Sequence, residues 1–140
     1  MQTAKQILDA KGHKVWDISP YATVYNALES MRDKEIGALV VVEGGKVVGI
    51  ITERDYTRKI VLRGKSSKDT PVREIMTDTL HRVRPDSTAE QCLSVMIEKG
   101  TRHLLVFDKD QLMGVLSMRD LVKSMLPGGE KWASPSLLET

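Results

Sequence analysis

Gly49-Ile-Ile-Thr-Glu-Arg-Asp55 is answered 65 residues later by Gly114-Val-Leu-Ser-Met-Arg-Asp120. Each copy reads as an apolar strand entered through a glycine, then a hydroxyl residue, then an acid three positions on. That order fits a strand running into a helix, with Thr52 or Ser117 accepting from the N–H groups of the first turn. A hydroxyl residue followed three places later by an acid is also an ordinary helix-capping pattern. One copy alone therefore says only that a helix begins there.

The surroundings repeat too. Moved on by 65, residues 18–60 fall on 83–125 without a gap. Pro20/Pro85, Thr23/Thr88, Leu28/Leu93, Met31/Met96, Lys34/Lys99, Leu39/Leu104, Val41/Val106, Gly49/Gly114, Arg54/Arg119 and Asp55/Asp120 are identical. Other pairs exchange one apolar residue for another, as at Val40/Leu105, Ile50/Val115 and Ile51/Leu116. Two copies of so long a unit are not a solenoid. They predict two small α/β units of order β-α-β-β-α, packed about a pseudo-two-fold axis, with the two turns in symmetry-related clefts. Apolar matches follow from a shared core, whereas the matched Arg and Asp, expected near a surface, ask for another reason.

The elements follow from punctuation and period. Thr3–Lys11 with Gly12 behind it predicts a leading helix over residues 1–12. In the first unit, 13–64, Val15–Ile18 predicts a strand stopped by Ser19-Pro20. Val24, Ala27, Leu28 and Met31 lie at helical spacing behind the cap Thr23. Gly37–Val42, the Glu43-Gly44-Gly45-Lys46 turn and Val47–Ile51 predict a hairpin. Arg54–Arg63 predicts a helix closed by Gly64. A polar linker, 65–78, ends in one helical turn at Val72–Thr77. The second unit, 79–126, repeats the order, with its helices at Thr88 and at Met118–Leu126. Pro127 opens a tail, 127–140, that contains Trp132 and shows no period; it is expected to be mobile or to dock on a partner.

Apolar residues at 41% and charged residues at 29% of 140 describe a globular chain. No apolar run nears the roughly 20 residues that span a bilayer, and the N-terminus lacks signal-peptide order. Cys92, the single cysteine, lies on an apolar helix face and reads as core. A reducing, cytoplasmic setting is expected. A net charge of +2 is too small to argue for nucleic acid or membrane. No Cys/His nucleophile pair, metal-ligand spacing or Walker-type loop appears, so neither enzyme activity nor a metal is expected.

The ordered set resembles a tandem cystathionine-β-synthase (CBS) domain pair, the Bateman module, and in particular small stand-alone bacterial CBS proteins. The likeness covers roughly residues 13–126. It is carried by the strands ending at Pro20 and Pro85, the strands Gly37–Val42 and Arg102–Asp108, and the Gly-x-x-Thr/Ser-x-x-Asp turn at both places. Arg73-Glu-Ile-Met-Thr77 and Thr52-Glu-Arg-Asp-Tyr-Thr-Arg-Lys59 add to it.

The resemblance implies a regulatory module that binds adenosyl ligands (AMP, ADP or ATP, or NAD-type) in clefts between the repeats and signals to a partner. It also implies a homodimer, a flat disc built through helices, for which Met96, Met118 and Met125 are interface candidates. A carboxylate can accept both hydroxyls of a ribose, so Asp55 and Asp120 are the expected ribose ligands. Thr52 and Ser117, at helix starts, would face phosphate. In the first cleft Asp55 and Thr52 are expected to join Ile50 and Leu80 around the adenine, Thr101 at its edge, and Arg54, Arg73, Arg102 and His103 near phosphate. In the second, Asp120, Ser117, Val115 and Arg119 are expected beside Val15, Trp16, Ile36, Gly37 and Ala38. Gly37-Ala38 standing where the first cleft has Arg102-His103 points to polyphosphate in the first.

Plainer roles compete. Trp16 reads first as a core residue, His13 and His81 as surface residues, and Arg58, Lys59, Arg63, Lys65 and Lys68 as a solvated basic face. The alternatives in function are a nucleotide-handling enzyme, betrayed by turnover, and a nucleic-acid-binding protein using the basic linker, betrayed by steep salt dependence.

Overall fold

A computed structural model of the chain describes residues 2–127. They form two compact units, one of Val15–Leu80, the other of the residues up to Lys14 together with the chain from His81 onward.

In the first unit a three-stranded sheet, ordered β1-β2-β3, joins β1 (Asp17–Ile18), β2 (Ala38–Glu43) and β3 (Lys46–Thr52). β1 runs parallel to β2, with Asp17 opposite Val40, and β3 returns antiparallel. Gly44 and Gly45 take φ of +58° and +76° in the two-residue turn, the left-handed pair that suits strand twist. Helix α2 (Val24–Lys34) starts on Thr23, whose hydroxyl accepts from Asn26 N–H at 3.0 Å. Val24, Ala27 and Met31 bury against Leu39, Val41 and Ile51. This is the expected strand–helix–hairpin order, but β1 is only two residues long, with Val15 and Trp16 ahead of it.

The helix expected over Arg54–Arg63 is different. Only α3 (Glu53–Tyr56) is α-helical, and Thr57–Val61 widens into a π turn in which Leu62 N–H reaches Thr57 O at 3.1 Å. A π turn inserts one residue into the backbone ladder. Residues 65–78, a linker by composition, belong to the first unit's interior at their end: Val72 and Ile75 are buried in its core, and Val72–Glu74 is a single 3-10 turn.

The second unit repeats the plan with β4 (Arg82–Val83), α4 (Ala89–Lys99), β5 (His103–Asp108), β6 (Gln111–Ser117) and α5 (Met118–Met125). β4 is parallel and β6 antiparallel to β5. The strand ahead of Pro85 has only two paired residues, and Pro85 itself cannot donate to a ladder. Helix α1 (Ala4–Lys11), capped by Thr3, lays Ala4, Ile7 and Leu8 into this core beside Cys92, Met96 and Leu116. Met96 is thus interior, which removes it as an interface candidate; Met118 and Met125 pack partly buried against the same core.

Both leading segments dock in the same way. Thr3 bridges to Thr88 as Pro71 bridges to Thr23, and the two threonines are repeat partners. Leu8 then lies over Gly114 and Met76 over Gly49. The two glycines are not strand entrances, as the sequence suggested. They sit in mid-strand, where a Cβ would stand 2.7 Å from Leu8 Cδ2, or 2.8 Å from Met76 Sδ and 2.9 Å from Thr77 O.

The tail beyond Pro127, Trp132 included, lies outside the described residues. Among the described residues no helix is long and apolar enough to cross a membrane.

Candidate functional site

Strand β3 runs directly into α3, and the junction is a reciprocal capping box. Thr52 Oγ1 accepts from Asp55 N–H at 3.1 Å, and Asp55 Oδ2 accepts from Thr52 N–H at 3.0 Å and from Thr52 Oγ1 at 3.1 Å. The other oxygen, Oδ1, accepts from Thr77 Oγ1 at 3.0 Å and pairs with Lys59 Nζ at 3.0 Å. Lys59 also donates to Ile75 O at 2.9 Å. Four donors thus meet a carboxylate whose residue is only 7% exposed. The expected surface position of Asp55 is overturned, because the 71–77 segment folds over it. Lys59 likewise is not part of a solvated basic face.

The second junction has the same cap and a different neighbour. Ser117 Oγ accepts from Asp120 N–H at 3.1 Å, and Asp120 Oδ2 accepts from Ser117 N–H at 2.7 Å. Its cation comes from helix α1. Lys11 Nζ lies 2.7 Å from Oδ2 and donates to Val115 O at 2.9 Å. Lys59 has no lysine counterpart here, because Ser124 stands at the matching position and bonds Leu121 O.

The strand register decides what stands beside each turn. Ala38 is opposite Thr52, and Glu53 N–H donates to Gly37 O at 3.1 Å. In the second unit His103 is opposite Ser117, and Met118 N–H donates to Arg102 O at 2.8 Å. Within the units, then, Arg102 and His103 accompany Asp120, and Gly37 and Ala38 accompany Asp55. The charge beside the turns differs as well. Glu53 lays its carboxylate over Gly37, where a Cβ would be 2.9 Å from Oε1, while Met118 holds the equivalent place after Ser117.

The remaining expected residues are spread over both units. Ile50 and Leu80 are half-buried, and Ile50 exchanges backbone bonds of 2.9 and 2.8 Å with Thr77. Arg54, Arg73 and Arg119 are exposed, and Arg73 N–H bonds Pro20 O. Val15 and Ile36 are half-buried. Trp16 is 37% exposed with Lys34 Nζ 4.5 Å above its ring, so it is not the core residue expected. Thr101 Oγ1 donates to His103 O at 3.1 Å, which shapes the start of β5. Among the described residues no group of three or more His, Cys, Asp or Glu side chains gathers as metal ligands.

Three residues that hold the turns were missed: Thr77, Lys59 and Lys11. Lys59 was legible, because Asp55 and Lys59 form an i,i+4 acid–base pair. Thr77 and Lys11 reach their acids only through folding. His13 is exposed, as expected, and its ring makes two contacts. Its Nδ1 lies 3.2 Å from Met113 O and its Nε2 2.6 Å from Asp9 Oδ1. Both partners are pure acceptors, so only the doubly protonated ring satisfies them. The bond to Asp9, then that to Met113 O, raises the His13 pKa.

Two stretches of the chain, 13–62 and 72–127, match the family model of the CBS domain. The chain belongs to the CBS-domain family, as a tandem pair. It is 40% identical over 109 residues to the CBS domain-containing protein CBSX3, mitochondrial, of Arabidopsis thaliana, covering 74% of this chain and 53% of that one. The chain thus spans about half the length of that relative. A solved structure from Burkholderia ambifaria, described as a candidate signal-transduction protein with CBS domains, aligns at a TM-score of 0.87 and 44% identity. The alignment covers 89% of this chain and 94% of that one. The arabinose 5-phosphate isomerase KdsD of Salmonella typhimurium is 33% identical over 114 residues, 81% of this chain and 34% of the isomerase. CBS-domain proteins are regulatory and signal-transduction modules, and stand-alone ones are generally not enzymes.

Proposed function

We propose that this chain senses adenosyl ligands (AMP, ADP, ATP or NAD-type) and passes their binding to a regulated partner protein. The observation that carries the reading is the acid–hydroxyl turn at the head of a helix, present twice with one capping geometry. A carboxylate fixed beside a helix start can take a ribose diol while N–H donors and the helix dipole meet the phosphate.

The two turns are not equivalent in this reading. Asp120 heads a helix of eight residues and has Arg102 and His103 on the adjoining strand start. Asp55 heads a four-residue helix, stands beside the Glu53 carboxylate and meets four donors of its own unit. A ribose at Asp55 must displace Thr77 or Lys59. Phosphate-rich ligands therefore prefer Asp120, the opposite of the expectation drawn from the sequence.

Partnering follows the family. A stretch similar to this chain within the Salmonella isomerase supports a module that can be joined to different partners. A homodimer is part of the same reading. Ile97 on α4 and Val122 and Leu126 at α5, 70%, 43% and 40% exposed, are its contact candidates in place of Met96. Sedimentation at rising concentration tests it.

The central test is calorimetry and melting with AMP, ATP and NADH. Saturation at a hundred times Kd is expected to stabilise the protein by about 2.7 kcal/mol. Asp120→Ala is expected to remove most of the ATP effect, with the nucleotide recovered unchanged. Failure of all three to bind overturns the reading, and turnover of the nucleotide points to the enzyme instead.

A further inference from the structure

Helix α1 ends on the acid of the second turn. We propose that Lys11 is a built-in occupant of the Asp120 carboxylate, which a ribose must displace, so that ligand binding at this turn frees the C-terminal end of α1. The inference rests on the reading above, in which Asp120 takes the ribose.

The argument is one of lone pairs. Asp120 Oδ2 already accepts two donors, Ser117 N–H at 2.7 Å and Lys11 Nζ at 2.7 Å. A carboxylate oxygen has two lone pairs in its plane, so Oδ2 is filled. A ribose diol held in the bidentate way needs one acceptor site on each oxygen. The Ser117 bond is part of the helix cap and cannot leave without unwinding α5. Lys11 can leave, because its side chain is 38% exposed and its ammonium regains water on release. Expelling it exchanges one charge-assisted donor for two hydroxyl donors and also breaks the 2.9 Å bond to Val115 O.

The structure of α1 confines the consequence to one end. Its beginning is tied by backbone bonds, Ala4 N–H to Ser87 O at 2.8 Å, Lys5 N–H to Pro85 O at 2.9 Å and Ala89 N–H to Gln2 O at 2.8 Å. Ala4, Ile7 and Leu8 are buried. Beyond Leu8, Lys11 and His13 attach to the unit through side-chain bonds. Gly12 follows at φ +108°, with open space where a Cβ would stand. A helix of eight residues is marginal without such ties. At Asp55 the release is smaller, since Lys59 lies in the π turn that continues α3, and Thr77 keeps its two backbone bonds to Ile50 when its hydroxyl is displaced.

Hydrogen exchange by mass spectrometry, with AMP titrated calorimetrically in an Asp55→Asn background, tests this. Saturating AMP is expected to speed exchange at Leu8–Gly12 and to leave Ala4–Lys5 protected. Lys11→Met is expected to bind AMP about three- to fivefold tighter, the scale an exposed ion pair can oppose, with no further AMP effect on α1. AMP binding that is equal or weaker in Lys11→Met, or unchanged α1 exchange in a wild-type Lys11 protein that binds AMP, overturns the inference and leaves the ribose reading standing. If AMP binds neither protein, the ribose reading falls and this inference with it. The wild-type exchange arm decides the matter even if the variant misfolds.

Discussion

Leu8 lies on the Cα of Gly114 as Met76 lies on that of Gly49, so the two repeats spend their shared glycine on one purpose, the close approach of a leading segment. The neighbours differ in how far they can yield. At Gly114 the nearest atoms are the ends of a leucine side chain; at Gly49 the backbone oxygen of Thr77 stands 2.9 Å from the Cβ position. Gly49→Ala is therefore expected to cost about 2–3 kcal/mol and Gly114→Ala about 1–2 kcal/mol, within the usual range for overpacking. Urea denaturation checks the order, and a larger loss at Gly114 contradicts the assignment.

Thr77 and Lys59 act on one oxygen of Asp55. Thr77→Val and Lys59→Met are each expected to destabilise by about 1 kcal/mol, the net worth of a partly buried hydrogen bond. The double variant is expected to depart from additivity by at least about 0.5 kcal/mol, because the two share an acceptor. A double-mutant cycle in urea supplies the number, and strict additivity removes the coupling.

His13 makes the docking of α1 depend on pH. Its pKa is raised above the ordinary 6.5 by the bond to Asp9 and then by Met113 O. Lys5, on the same helix, opposes the shift slightly. A raised folded-state pKa means that the contribution is complete below the unfolded value and is lost as pH rises through the folded one. Asp9 has its pKa lowered, first by His13 and then by Lys5. Its contribution holds above 3.8 and is lost as pH falls through the lowered value. Protection of α1 amides, corrected for intrinsic exchange, is expected to weaken as pH rises above the ordinary 6.5 and to become flat in His13→Gln. A wild-type profile as flat as the variant's refutes it.

Cys92 is fully buried and burial pushes its thiol pKa up. The thiolate is the reactive form, so labelling by a thiol reagent is expected to track global unfolding in urea. Fast labelling of the native protein contradicts the packing described.

Local pattern made most of the architecture readable. Thr23, Thr52, Thr88 and Ser117 announce four helix starts, because a cap acts over three residues. Gly44-Gly45 announces the first hairpin, since its two positions need positive φ. The unbroken runs Leu39–Val41 and Leu104–Val106 announce strands, and every residue in them is buried. The widening at Thr57–Val61 had no such mark, because no residue type prefers a π turn strongly enough to be read.

By itself, the sequence determined the two-fold repeat, the β-α-β-β-α order, the caps and the turn acids, all of which depend on neighbours a few positions apart. Tertiary structure alone decided what those acids meet. Lys11 and Asp120 are 109 positions apart, and Thr77 and Asp55 are 22 apart. No periodicity spans such distances, and each contact exists because a leading segment buries Leu8, or Val72 and Ile75, in a core that the repeat pattern alone does not show to be open. The same burial turned Asp55 from a surface residue into a buried one. In a CBS pair whose two turns carry the same residue types, it is the segments folded over them that make the turns unequal.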